Sequence, residues 1–529
     1  MSEKLTNLTE ATSTGSGDKF YVVQDGVSKQ VDYDTVIPNS ELSQLIEGNS
    51  ITYLDAENNV NLINNLIIEK ASEGGGTVNI PNGTFIVSKA INLLKNVNLK
   101  GGGKDVTTLI MHKDVTCAGA NLDENLVTVQ YDITSAERAS VQISDMTLDF
   151  NIDNILATGI YKTEWQARID TSALDNIGNC IQARGDMTND NYIDTININN
   201  CILTRAAYHG TAIYMNSKNI RFYNNDMYDN YFRGVHIHGD NTFTAEDIYV
   251  SNNLANNNGR NLVNPSNSGI FVFYTNMKNG FITNNIAKNE GGQGFQITGS
   301  SEGGALSNDI LISNNIAENC GTTGFTIGGG INRLIIEGNI SRDNGGKGFN
   351  MSSLNYDSNF LINNNIASNN GENGIYIKEC DNIIISNNLV ELNNQTSGGG
   401  GMSLSDVKYG IISNNIIRDN GNGTFNYQLV LNASSAGLTN NVKINDNIVH
   451  ASSISSTSPP FAVTGGSTAS PNCTKIEIRN NNVVRGNNLT GTTLFLRMAE
   501  SLVVGNWLSA GGTIVDEMIL STNTIQDNY

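Results

Sequence analysis

The chain carries five histidines, and three of them, His209, His236 and His238, fall within thirty residues. Two of these alternate in Val235-His236-Ile237-His238, an apolar-polar pattern that turns both rings to one face of a strand. The same phrase, Gly followed by apolar-any-apolar, returns at Gly234, Gly269, Gly294, Gly324, Gly348, Gly374 and Gly401. Stacked in register, these strands turn outward the pairs Gln182/Arg184, Tyr214/Asn216, His236/His238, Phe271/Phe273 and Gln296/Thr298, and later Tyr376/Lys378 and Ser403/Ser405. Stacked strands lie about 4.8 Å apart, so successive pairs would touch. Arg184 would hold a carboxylate or sulfate, and His236, His238 or Tyr214 would serve as base or acid. That set suits β-elimination in an acidic polysaccharide. Gln182, Asn216 and Lys218 would add polar contacts to the substrate, and Phe271 and Phe273 would add rings.

Two carboxylates lie just beyond those pairs. Asp186 and Asp240 each follow a strand end by two residues, with Lys218 expected on the rung between. Two rungs separate them by roughly 9–10 Å, the wide end of the range for inverting glycoside hydrolysis. Glu164, Asp226 and Asp229 are further carboxylates within reach. The plainer alternatives are that Asp after a strand is a turn residue and that outward His and Tyr form a solvated ladder or a subunit contact. His236 and His238 could share a metal, but no metal-ligand spacing accompanies them, and neither metal nor other cofactor is expected.

The elements that must position these residues are visible in a second phrase. Apolar-alternating runs end in paired asparagines, as at Asn224-Asn225, Asn252-Asn253, Asn284-Asn285, Asn314-Asn315, Asn364-Asn365, Asn387-Asn388 and Asn414-Asn415. From Asn315 the second asparagine recurs every 23 to 27 residues. A period in the twenties built from short strands marks a repeat architecture, and with helical spacing nearly absent it implies an all-β parallel solenoid. Asparagine and glycine tolerate the left-handed backbone of sharp corners, and stacked amides can hydrogen-bond from rung to rung. A disordered asparagine-rich tract would lack the regularly placed Ile, Val and Phe.

Bulk properties limit the partners. The 529 residues, 38% hydrophobic with 53 Gly and six Pro, exceed one ordinary core but suit a coil that grows by repetition. A net charge of −20 argues against nucleic acid and anionic membrane surfaces. It leaves room for a local basic groove. Cys117, Cys180, Cys201, Cys320, Cys380 and Cys473 are scattered, and read as buried small apolar residues without disulfides. No signal-like segment opens the chain and no apolar run reaches membrane length, so it is expected to be made in a cytoplasm without insertion in a membrane and to leave by another route, such as release within a virus particle.

Taken in order, residues 1–45 form a polar leader with Phe20–Gln24, Asp25-Gly26 and Val27–Val31 spaced as a hairpin. Residues 46–110 hold a helix, with Leu62, Leu66 and Ile67 on one face, and the first rungs. Residues 111–510 carry the solenoid, interrupted near 151–177 by a loop expected to project, where Trp165 could stack on sugar. Residues 511–529 are a final strand and tail.

The segment Lys4–Val27 resembles the short head of phage tail fibres and tailspikes, which joins such proteins to the virion. The helix, then Gly74-Gly-Gly-Thr-Val-Asn-Ile-Pro81-Asn-Gly83-Thr-Phe, then Leu99-Lys-Gly101-Gly, resembles the opening of the pectate-lyase-like superfamily. That resemblance implies a right-handed parallel β-helix over about residues 50–510, with the helix as a cap. Val235-His-Ile-His-Gly239 is also similar to a polygalacturonase motif, but the companion motifs are missing, so only the fold carries over. Together the two resemblances imply a phage tailspike, commonly a homotrimer, that binds a bacterial surface polysaccharide, usually cleaves it, and joins other tail proteins through its head. Lyase and hydrolase chemistries both stay open. A non-catalytic receptor spike and a bacterial enzyme such as an epimerase are the alternatives.

Overall fold

A computed structural model describes residues 19–24, 27–32, 42, 44–48, 51–117, 124–129, 139–171, 177–184, 193–214, 217–239, 244–260, 271–274, 276–299, 307–352, 359–394, 400–421, 427–434, 438–451, 459–465, 472–486, 492–508, 513–516, 524–526 and 528. Strands β1 (Lys19–Gln24) and β2 (Val27–Asp32) pair antiparallel, with Lys19 opposite Asp32, as the Asp-Gly spacing predicts. The other described strands form one long parallel sheet in which each pairs with its counterparts one turn before and after. The result is the solenoid expected from the repeats.

The interior is a set of columns. Phe271, Phe295, Phe325 and Phe349 stack face to face with centroids 4.7–4.8 Å apart. The six cysteines are buried free thiols. Burial on this scale supplies the main stabilisation, but each corner must still satisfy its backbone groups.

The asparagine pairs do this with divided labour. The first of each pair takes the left-handed conformation, with φ of 56° at Asn252, 54° at Asn314 and 55° at Asn364. Gly338 stands at the same corner with φ 65°. The second is buried and gives both its backbone N–H and its Nδ2 to Oδ1 of the next asparagine along. The chain of amides runs through Asn225, Asn253, Asn285, Asn315, Asn339, Asn365, Asn388, Asn415, Asn447, Asn481 and Asn506 to Asn528.

A second ladder links Asn344, Asn370, Asn393 and Asn420 to Gln428. Upstream of it, Asn230 bonds Asn258, and Asn258 bonds Glu290 through its backbone N at 2.7 Å. The next rung carries Cys320 in place of an amide. Glu290 is wholly buried there, and burial pushes its pKa up to about 8.

Helix α1 (Tyr53–Ser72) begins at a capping box between Thr52 and Asp55 and lays Val60, Ile63 and Ile67 on the open first turn. Asn64 completes that edge, accepting from Asn92 N and donating to Ala90 O. Bare strand edges invite pairing with other chains, so this cap protects the coil.

The described residues of the segment expected to project at 151–177 correct that expectation: α2 (Ile152–Thr158) and α3 (Lys162–Thr171) fold back onto the coil. Trp165 is fully buried, donates Nε1–H to Val115 O at 3.2 Å and meets Phe150 edge-on. Gly178, with φ 77°, lets it approach, because a Cβ there would lie 3.1 Å from the indole. An indole with an available acceptor gains more from burial than from solvent, so Trp165 is an anchor and not a sugar platform.

Two stability measurements test this account. Asn365→Ala should lose about 2–4 kcal/mol in denaturant unfolding, because it leaves buried donors and acceptors unmet. Asn364→Gly, one residue earlier at the left-handed corner, should be near neutral. Equal losses would contradict the division of labour. For Glu290, the folded pKa of about 8 lies above its ordinary 4.5, so the folded chain holds that proton more tightly. Its contribution to stability is intact below the lower value and is lost as pH rises through the higher one. The parent should therefore lose stability relative to Glu290→Gln across that window, and a constant difference would contradict the assignment.

Candidate functional site

Four neighbouring strands build the candidate site: β3 (Ile181–Arg184), β4 (His209–Tyr214), β5 (Arg233–His238) and β6 (Phe271–Tyr274). Their register aligns Arg184, Tyr214, His238 and Tyr274 in one column, and Gln182, Ala212, His236 and Val272 in another. Tyr214 thus faces outward, but two positions along from its expected partner, beside Arg184 and His238. Asn216 lies outside the described residues. Asp186 and Asp240 also lie outside them. Lys218 is displaced by the same shift, and its backbone N–H donates to Ile193 O at the start of the next wall.

Phe271 and Phe273 point inward and are fully buried, contrary to expectation. The run Ile270-Phe271-Val272-Phe273 is apolar throughout, so alternation gave no parity. The aromatic column continuing to Phe295 selects the register, and one residue of slip exchanges every face. Gln182 has outward parity but no exposure; Asn125 Nδ2 donates to its Oε1 at 2.5 Å.

The exposed column is a compact group. Arg184 and His238 are exposed and Tyr214 nearly buried between them. The Tyr214 and His238 rings are 6.0 Å apart and meet edge-on, while His238 stacks on His236 at 5.4 Å. His236 is only 5% exposed. Behind it runs a hydrogen-bonded chain. Arg233 Nη1 donates to His236 Nε2 at 2.9 Å, and His236 Nδ1 lies 3.2 Å from His209 Nε2. A guanidinium can only donate, so His236 Nε2 is an acceptor and its proton sits on Nδ1. His209 Nε2 then accepts that proton's hydrogen bond, and His209 carries its own proton on Nδ1, which finds no acceptor among the described residues. Burial, reinforced by the Arg233 charge, holds both imidazoles well below the usual histidine pKa. His236 is thus neutral, with both ring nitrogens engaged. His238 is the histidine of this group that reaches solvent.

Sequence spacing marks His209 without giving it a role and does not mark Arg233, yet the sequence holds a signal for both. Both stand in the column of Asn125 and Asn179, where Asn125 Oδ1 accepts from Asn179 and Asn179 Oδ1 accepts from His209 N. At that point an amide ladder gives way to imidazole and guanidinium.

Other carboxylates nearby are engaged. Asp226 pairs with Lys104 at 2.5 Å, and Asp229 accepts from Asn257 Nδ2 at 2.6 Å. Among the described residues, no group of three His, Cys, Asp or Glu side chains could hold a metal.

The imidazole tautomers are directly measurable. Nitrogen NMR of the ring resonances should find His209 and His236 neutral and protonated at Nδ1, unchanged between about pH 5 and 8. Titration of His236 in that range would refute the chain.

Residues 304–508 match the family described as right-handed beta helix region, and residues 54–180 match the family described as rhamnogalacturonase A/epimerase, pectate lyase-like. No curated protein matches in sequence. Among solved structures, the A-module of the Azotobacter vinelandii mannuronan C-5 epimerase AlgE4 is 16% identical, covering 92% of this chain and 99% of that one with a TM-score of 0.36. Tailspike protein 3 of bacteriophage CBA120 is 11% identical, covering 96% and 65%, with a TM-score of 0.48. The tailspike of E. coli bacteriophage HK620, solved in complex with a pentasaccharide, is 12% identical, covering 97% and 82%, with a TM-score of 0.44. The matched opening, the matched later rungs and the continuous stack between them make this chain a right-handed parallel β-helix with a pectate-lyase-like opening.

Proposed function

We propose that the protein is a phage tailspike that binds a bacterial surface polysaccharide along the β3–β6 wall and cleaves it by β-elimination. The observation that carries this reading is the outward file of Arg184, Tyr214 and His238 on consecutive rungs. Arg184 would pair with the carboxylate of a uronate unit and make the adjacent C–H more acidic. His238 would take that proton, and Tyr214 would give one to the departing glycosidic oxygen, so the bond breaks with a double bond left in the ring. His236, held by Arg233 and His209, would position His238 by stacking. Returning a proton to the same carbon from the opposite side would instead give an epimerase. Hydrolysis would need a carboxylic acid and a carboxylate, the role open to Asp186 and Asp240.

The hairpin β1–β2 would belong to a head that joins other tail proteins. Assembly as a homotrimer is supported by an outward column that stays apolar from Leu254 through Ile316 and Ile366 to Ile448.

A second reading, a receptor spike that binds without cleaving, is favoured by one observation. His236 has no ring nitrogen to spare, which leaves few groups able to move protons.

Purified capsular polysaccharide from the host distinguishes these readings. Cleavage should raise reducing ends together with the absorbance of an unsaturated uronate. His238→Ala and Tyr214→Phe should each reduce the rate by about 10²–10⁴-fold. New reducing ends without unsaturation indicate hydrolysis. Binding with neither product supports the receptor spike, and full activity in His238→Ala removes this wall from the chemistry.

A further inference from the structure

A separate cleft of about 300 Å3 lies between the cap and the helical insertion, lined by Ile51, Ile86, Ile110, Met111, His112, Lys113, Asn151, Asn154 and Arg205. Its charge runs against the chain. The protein has 51 acidic and 31 basic residues, yet this lining holds Lys113 and Arg205 and no carboxylate. The nearby acids are turned to other duties, Asp153 with Arg260 and the Tyr231 hydroxyl and Asp229 with Asn257 among them. Asp149 is nearly buried and takes Arg205 Nε at 2.9 Å with a second contact to Nη2. Asp114 takes Lys113 Nζ at 2.7 Å and the backbone N–H of Ile160 at 3.0 Å.

After those pairings the lining still has donors to offer. Arg205 retains Nη1, Lys113 retains two ammonium protons, and the amide of Asn154 retains Nδ2 because Thr158 engages its oxygen. His112 adds no charge, since its Nδ1 accepts from Asp114 N at 3.1 Å. Ile86 and Ile110, neighbours in one outward column, give the cleft an apolar side, and Met111 lies wholly buried beneath it. The volume is at the small end of ligand pockets, enough for one ring and not a chain.

We propose that this cleft binds a single carboxylate-bearing sugar unit, its carboxylate held by Lys113, Arg205 and Asn154 and its ring face on Ile86 and Ile110. The charge preference follows from the lining alone; the saccharide ring rests on the functional reading above. The site shares no residue with the Tyr214–His238 wall, so the capsule assay and a test of this cleft can fail independently.

Ile110 is half-buried on the outward side of its strand and lines the cleft, which gives a reporter. The full chain, labelled at isoleucine methyls and assigned with Ile110→Val, is titrated with glucuronate, glucose and acetate. Glucuronate should shift the Ile110 signal saturably, and glucose and acetate should do so much more weakly. Lys113→Met, at a half-exposed position, should weaken glucuronate by roughly tenfold, the loss expected for one charge-assisted hydrogen bond. Asn154→Ala should weaken it less and serves as the second variant. No shift with glucuronate overturns the proposal. Equal shifts with glucose overturn the charge assignment, equal shifts with acetate overturn the sugar assignment, and undiminished binding in both variants overturns the placement.

Discussion

The fold depends on how a sharply cornered coil satisfies its buried backbone. Each turn must bend the chain where strand hydrogen bonding stops, and an unmet buried amide costs as much as a good contact contributes. The asparagine ladder resolves this at one corner from Asn225 to Asn528. One side chain accepts from the turn before and donates to the turn after, so each of these corners is satisfied by its neighbours. The interaction also fixes position. An amide that must meet the amides above and below holds each rung over the last, and the phenylalanine column does the same from inside.

That constraint makes a surface as well as a core. Once rungs are locked, side chains far apart in sequence become neighbours at strand spacing, and Arg184, Tyr214 and His238 form a group although some fifty residues separate the first from the last. The candidate chemistry sits where the ladder rule is relaxed. The column of Asn125 and Asn179 passes to His209 and Arg233, and the amides are replaced by groups that orient His236 by the same stacking geometry. Glu290 beside Cys320 is a second departure, a protonated acid filling the place of an amide. Both substitutions keep a hydrogen-bonding group in the column while changing its charge or its chemistry.

The two helical additions act on different surfaces. Helix α1 covers the open first turn, with Asn59 and Asn64 standing in for the missing rung. The α2–α3 insertion is pinned by Trp165 and ties its outer face to the coil through Asp153, which meets Arg260 and the Tyr231 hydroxyl. Between them lies the cationic cleft, formed by pieces of chain that only folding brings together.

Sequence alone determined the rung architecture, the capping helix, the leader hairpin and the amide corners. Each is set by short-range chemistry: period-two alternation, Asn and Gly at left-handed corners, and a capping box before an apolar face. It also found the outward parity of Tyr214 and His238. What it left open was the offset between rungs. The loops joining them differ in length, and an all-apolar run such as Ile270–Phe273 has no preferred face until a neighbouring column selects one. The tertiary structure therefore decided that Phe271 and Phe273 are core, that Tyr214 sits beside His238, and that Trp165 is an anchor. It also decided which protons His209 and His236 carry, because only the placement of Arg233 fixes them.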